Sequence, residues 1–197
     1  KLPGCEVSIA HVESGSYLVK AIDADMNFEQ SQRNNSRAAV HFANKSRQGW
    51  RTTVKTKGAL TRQSKNESDW ILAGVADCYE ETSFSALVTA EHIKASPFAS
   101  NGDVDRLGYN LFFSPGKGQY AGAKKSLKVS LVAETAPTIM EPAMQLAQVM
   151  EKANKQYNAT RSSDQPHKVA WVTQRGGSAI MTQALRILRD KGVQVNG

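Results

Sequence analysis

Apolar and polar positions alternate, or β-branched residues cluster, over four short runs near the start of the chain, at residues 6–12, 17–22, 38–42 and 50–56. Successive side chains of a strand point to opposite faces, so a period of two predicts half-buried strands. Polar clusters at 13–16 and 30–36 separate the runs and predict turns between them. No helical period persists over residues 1–68, and the polar stretch 63–68 reads as a boundary.

Beyond that boundary the pattern changes. Residues 70–76, reading WILAGVA, form a near-continuous apolar run of the kind that a strand covered on both faces requires. Residues 83–95 place Phe84, Leu87, Val88, Glu91 and His92 at helical spacing, and Pro97 stops the helix. Residues 106–114 read as a second strand, and 123–132 fits either helix or strand. A helix is predicted over 142–157, with Met144, Ala147, Val149 and Met150 near one stripe and Glu141 and Pro142 in its first turn. Residues 168–173 read as a buried strand. Gly176-Gly177-Ser178 then opens a helix running to Arg189, with Ala184, Leu185 and Leu188 inward, and 193–195 starts another strand. Strands alternating with helices predict an α/β fold: a doubly wound, mostly parallel sheet with helices on both faces. The expected organisation is a β-rich basic region over 1–68 followed by an α/β domain over 69–197.

Composition adds little to the fold but something to function. With 40% apolar and 22% charged residues among 197, the chain has the make-up of an ordinary globular protein. No apolar run is long enough to span a bilayer and Lys1 begins no signal-like segment, so a soluble chain, either processed or excised from something longer, is expected. The net charge of +7 is unevenly placed. Arg33, Arg37, Lys45, Arg47, Arg51, Lys55, Lys57, Arg62 and Lys65 follow one another with no acidic residue between them. Such a segment attracts sulfated glycans, nucleic acid or anionic lipid headgroups, and Trp50 within it offers a ring to stack on a base or sugar. A solvated positive face without a dedicated partner is the alternative.

Cys5 and Cys78 lie in no CxxC or Cys/His cluster, which leaves one disulfide or two independent thiols. Four N-x-[ST] sequons, at Asn34, Asn44, Asn66 and Asn158, are usable only in a secreted protein and point to an extracellular setting. His11, His41, His92 and His167 fall on different predicted elements, and G-x-S-x-G and the nucleotide-binding glycine motifs are missing. Gly176-Gly177-Ser178 still invites a phosphate-cradling reading, because amides at a helix N-terminus attract anions. No catalytic residue is assigned.

Thr138, with Ala143 and Ala147 following it, is succeeded by Pro166, by Val172-Thr173 at a strand end, and by Lys191-Gly192-Val193. Arg106-Leu107-Gly108 opens a predicted strand, and the run from Trp70 ends in Asp77. Over 69–197 these features resemble a von Willebrand factor A domain; since that family continues with further helices and a final strand, the resemblance implies either that the domain is truncated here or that the N-terminal 68 residues complete the sheet in some other way. The resemblance implies a metal-ion-dependent adhesion site at the C-terminal edge of the sheet. There a D-x-S-x-S loop, a Thr and a later Asp hold a divalent cation, usually magnesium, which a partner's carboxylate completes. Carried over, Asp77 and Thr138 keep their types, whereas the serines fall on Tyr79 and Glu81 and the later Asp on Gln174. Asp77 and Thr138 as ordinary capping or loop-satisfying residues are the alternative.

The expected function is a non-enzymatic protein-interaction or adhesion module of the extracellular or cell-surface type. Its protein ligand would be met at Asp77, Tyr79, Glu81, Thr138 and Gln174, largely without magnesium. Two other readings stand beside it: polyanion binding through 33–65, and a self-assembling subunit whose β-rich region pairs edge to edge.

Overall fold

The computed structural model describes residues 5–11, 17–24, 38–55, 57–63, 70–77, 82–100, 102–115, 137–159 and 168–195. The chain divides into two compact units, Lys1–Arg37 and Ala38–Gly197. The first contains the antiparallel hairpin of β1 (Cys5–His11) and β2 (Tyr17–Ala24), with Ile9 opposite Val19 and a register shift between Ser8 and Ile9.

The second unit is built on a five-stranded sheet. Its strands are β3 (Ala39–Ser46), β4 (Gly49–Val54), β5 (Trp70–Ala76), β6 (Tyr109–Phe113) and β7 (Lys168–Gln174), in the order β4-β3-β6-β5-β7. The three apolar runs lie side by side as expected, with β5 parallel to both β6 and β7. β3, however, is antiparallel to β4 and to β6. Three of the five strand pairings in the two sheets are therefore antiparallel. This corrects the expected doubly wound, mostly parallel sheet, and with it the von Willebrand factor A-like fold. What stands is an α/β domain with a mixed sheet and flanking helices. The difference has a local origin: the runs within 38–56 read as part of an N-terminal region, but Ala39 to Ala43 pair with β6 and so bring a hairpin into the sheet.

Helices cover both faces. On one, Leu72, Ala76, Tyr109, Leu111 and Phe113 meet Ala86, Ala90 and Ile93 of α1 (Thr82–Lys94) and Val104 of α2 (Asp103–Leu107). On the other, Ile71, Ala73, Val75, Phe112 and Val169 meet α3 (Pro137–Ala159) and α4 (Gly177–Asp190). β5 is sealed from both sides, which is why its sequence runs apolar without alternation. Burying a residue such as Ile71 or Leu72 completely contributes about 1.5–3 kcal/mol.

Three further details differ from the pattern reading. Arg106 and Leu107 end helix α2 instead of opening a strand, because Gly108 at φ 73° turns the chain out of the helix before Tyr109. Pro142 lies inside α3, since the helix begins at Pro137, five residues earlier than the cap signals indicated. Leu185 and Met144 are exposed, while Ala184, Leu188, Ala147 and Met150 pack inward as expected. The 123–132 segment lies outside the described residues, and 193–195 forms no strand, although Val193 and Val195 rest against the core.

Candidate functional site

β5 and β7 are parallel neighbours whose chains leave their C-terminal ends in opposite directions. β5 leads to α1 on one face of the sheet, and β7 leads to α4 on the other. Divergence of this kind opens the crevice in which α/β sheets commonly bind ligands. The side chains at that point are Asp77, one residue past β5, and Gln174, the last residue of β7.

The fold encloses both of them. Asp77 is 4% exposed and Gln174 1%. A Cβ on Gly176 would lie 1.9 Å from Asp77 Oδ2, and one on Gly177 would lie 2.1 Å from the Val75 carbonyl oxygen. Two glycines are thus required for the start of α4 to approach β5 closely. Burial pushes the Asp77 carboxyl up to about 6, opposed by the amides of Gly176 and Asp77 itself and by the charge of Arg175. Its Oδ1 is buried without a hydrogen-bond partner. The carboxyl therefore occupies the N-terminal end of α4 as a built-in anion.

That arrangement bears on two expectations. The Gly176 amide donates to Asp77, the Ser178 amide to Arg175 O at 3.1 Å and the Ala179 amide to Gly176 O at 3.0 Å. The Gly176, Ser178 and Ala179 amides are thus taken within the turn, which weakens the phosphate-cradling reading. Magnesium finds no ligand cluster among the described residues either. It wants near-octahedral oxygen ligation, whereas among the described residues no three His, Cys, Asp or Glu side chains come together. Among the described residues the carboxyl at this point is that of Asp77, which is turned onto a backbone amide next to a guanidinium.

Arg175 has φ 50°, the one positive φ outside glycine among the described residues. It forms the apex of a sharp strand-to-helix turn between β7 and α4, a geometry on which acyl-transfer enzymes raise a serine nucleophile. A guanidinium at that apex carries no nucleophilic oxygen or sulfur. Sequence reading missed this residue because the motif is normally recognised by its serine. The strand, Arg175 and paired glycines in succession were the available signal.

The basic segment behaves differently. Trp50 is 8% exposed and meets the Tyr109 ring edge-on at 5.5 Å, so it belongs to the core and offers no stacking face. Thr52 on the same face contacts Thr82 of α1 through its Oγ1 at 2.7 Å. Alternation therefore directs Arg51 and Thr53 to the opposite face, together with Asn44 and Phe42, their cross-strand partners. Lys55 lies over the Phe42 ring at 5.4 Å. Lys45 points the other way and joins Asp105 of α2 at 2.6 Å. Burial opposes charge on Asp105, but Lys45 and Lys94 outweigh it and hold that carboxyl below its usual range.

The structure thus sorts the cations that the sequence grouped together. Arg47, Arg51, Lys55 and Lys57 make no ion pair among the described residues, and Arg51 Nη2 donates to the Gln48 side chain. Arg62 is half-buried and has a partner. One cation was missed by the sequence reading: Lys152 of α3, whose Nζ donates to the Lys57 carbonyl at 2.7 Å. Its separation of 95 residues from Lys57 leaves no local signal.

The remaining expected positions are placed only in part. Thr138 falls in the first turn of α3 and Asn158 in its last, where only the backbone is described, as is also true of Cys5 in β1. Asn44 is exposed in β3. Tyr79, Glu81, Cys78, Arg33, Arg37, Lys65, Asn34 and Asn66 lie outside the described residues. Among the described helices none is long and apolar enough to cross a membrane. Compared with family models, with curated proteins and with solved structures, the chain finds no match in any of the three.

Proposed function

We propose that this chain is a non-catalytic binding domain that holds a polyanion against the outer face of the β3–β4 hairpin. The observation that carries this reading is the sorting of the cations. Lys45 is neutralised by Asp105, while Arg47, Arg51, Lys55 and Lys57 have no carboxylate partner among the described residues. Like charges gathered without counter-charges raise the local potential, and a polyanion that displaces their small counterions gains the entropy of release.

The other expected readings draw less support. A protein partner at the sheet's C-terminal edge would have to meet Asp77 and Gln174, and both are buried. Edge-to-edge self-assembly through β4 would bring Arg51 and Lys55 of one copy near those of another, a repulsion that commonly protects edge strands. An extracellular setting belongs to the same proposal, since the four sequons would be usable only there.

The test is a titration with a fluorescent heparin-type oligosaccharide between about 50 and 200 mM salt. Log affinity is expected to fall linearly with log salt, with a slope of about −3 for four neutralised cations. Binding that ignores salt, or no binding at the low-salt end, would remove the reading.

A further inference from the structure

The loop that leaves β4 does not run free. Leu60 enters the same core as Ala143, Leu146 and Met150 of α3, and a Cβ on Gly58 would sit 3.8 Å from Val149 Cγ2 of that helix. Residues 57–60 are therefore seated on α3, and the outer face of the hairpin continues onto the exposed side of the helix. At the join, Lys152 Nζ donates to the Lys57 carbonyl at 2.7 Å. That contact brings a second ammonium to the Lys57 backbone and leaves two of its three N–H donors for another acceptor. The nearest acid along the helix, Glu151, is engaged by Lys155 at 2.6 Å, and this pair holds the Glu151 carboxyl below its usual range. Neither Lys57 nor Lys152 makes an ion pair among the described residues.

Resting on the polyanion reading of the hairpin, we infer that its binding surface extends through Lys152 onto α3, and that the ligand is a linear sulfated glycan. Arg51 and Lys55 share a strand face roughly 13 Å apart, and Lys57 and Lys152 carry the charge onward from there. A path of this form suits an extended chain with repeated anionic groups.

The aromatic inventory separates a glycan from single-stranded nucleic acid. Single-stranded nucleic acids are held by stacking bases on exposed rings, as well as by charge. Trp50 and Tyr109 are buried against each other, and Phe42, half-buried, has Lys55 over its ring. Among the described residues of this surface no ring is left to stack on a base, so recognition rests on cations and hydrogen-bond donors.

The deciding experiment compares wild type, Lys152→Gln, Lys152→Arg and the Arg51→Ser/Lys55→Ser double variant. Each is titrated with a heparin-type oligosaccharide and with single-stranded DNA of equal charge. Gln at 152 keeps a donor for the Lys57 carbonyl while removing the charge, so a structural role alone would leave binding intact. The expected result is a loss of about threefold to tenfold for Lys152→Gln with a salt slope shallower by about 1, and recovery in Lys152→Arg. Wild type should bind the glycan more tightly than the DNA. If Lys152→Gln binds as wild type while the double variant is weakened, the extension fails and the hairpin reading stands. If neither variant differs from wild type, both fail. Tighter binding of the DNA at equal charge would overturn the assignment to a glycan.

Discussion

At the C-terminal edge of the sheet, Asp77 and Gln174 are 4% and 1% exposed, whereas Arg47 and Arg51 of the β3–β4 hairpin stand in solvent. Both regions carry the polar side chains of a plausible site. The difference lies in what each has left over. Asp77 spends its carboxyl on the Gly176 amide at the start of α4, and Gly176 and Gly177 let the helix close over it. Arg51 faces outward because its strand neighbours Trp50 and Thr52 take the inward positions. Polar residues at a topological switch point are therefore not automatically available, and an alternating strand leaves its charges to solvent by default.

Removing Trp50 gives the largest expected effect. Trp50→Ala should cost about 3–5 kcal/mol in urea unfolding, because a buried ring is lost, and should leave the salt slope of polyanion binding unchanged. A stable variant with weakened binding would return Trp50 to the ligand surface. Next comes Gly177→Ala, whose new Cβ would meet the Val75 carbonyl at 2.1 Å. An expected loss of about 2–3 kcal/mol would confirm that the edge is closed by backbone contact. A neutral outcome would mean that the crevice has room.

A smaller effect comes from Asp77, and its sign is fixed by the direction of the shift. The folded protein binds this proton with a pKa of about 6, and the unfolded chain with an ordinary carboxyl value near 4. Between those values the folded form holds more protons, so stability falls as pH rises through the window and is level above it. Asp77→Asn should remove that slope, gaining on the order of 1–2 kcal/mol at pH 7 relative to pH 4 when compared with wild type. The difference between the two proteins isolates Asp77 from His41, whose pKa burial lowers. Identical pH profiles would show that Asp77 is solvated.

Much of this was legible in the sequence, and the gaps have physical causes. WILAGVA announced a strand covered on both faces, and Asp77 and Gln174 were correctly placed at strand ends. Register and partner choice were not legible, because the pairing of β3 with β6 joins residues about 70 apart through contacts that no local period records. The same limit hid Lys152. Sorting Lys45 from Arg51 needed the strand face and Asp105, which comes 60 residues after Lys45. The acid-free run located the charge, and only the fold could say which of it was already neutralised.

The sharpest comparison sets Arg51→Ser against Lys45→Ser, two single-charge losses on paired strands of one hairpin. Measured as the salt slope of binding to a heparin-type oligosaccharide, Arg51→Ser should lower the slope by about 1 while Lys45→Ser leaves it unchanged, since Asp105 already balances that lysine. Equal effects from both variants would contradict the claim that the fold selects which cations bind, and would return the hairpin to a diffuse positive surface.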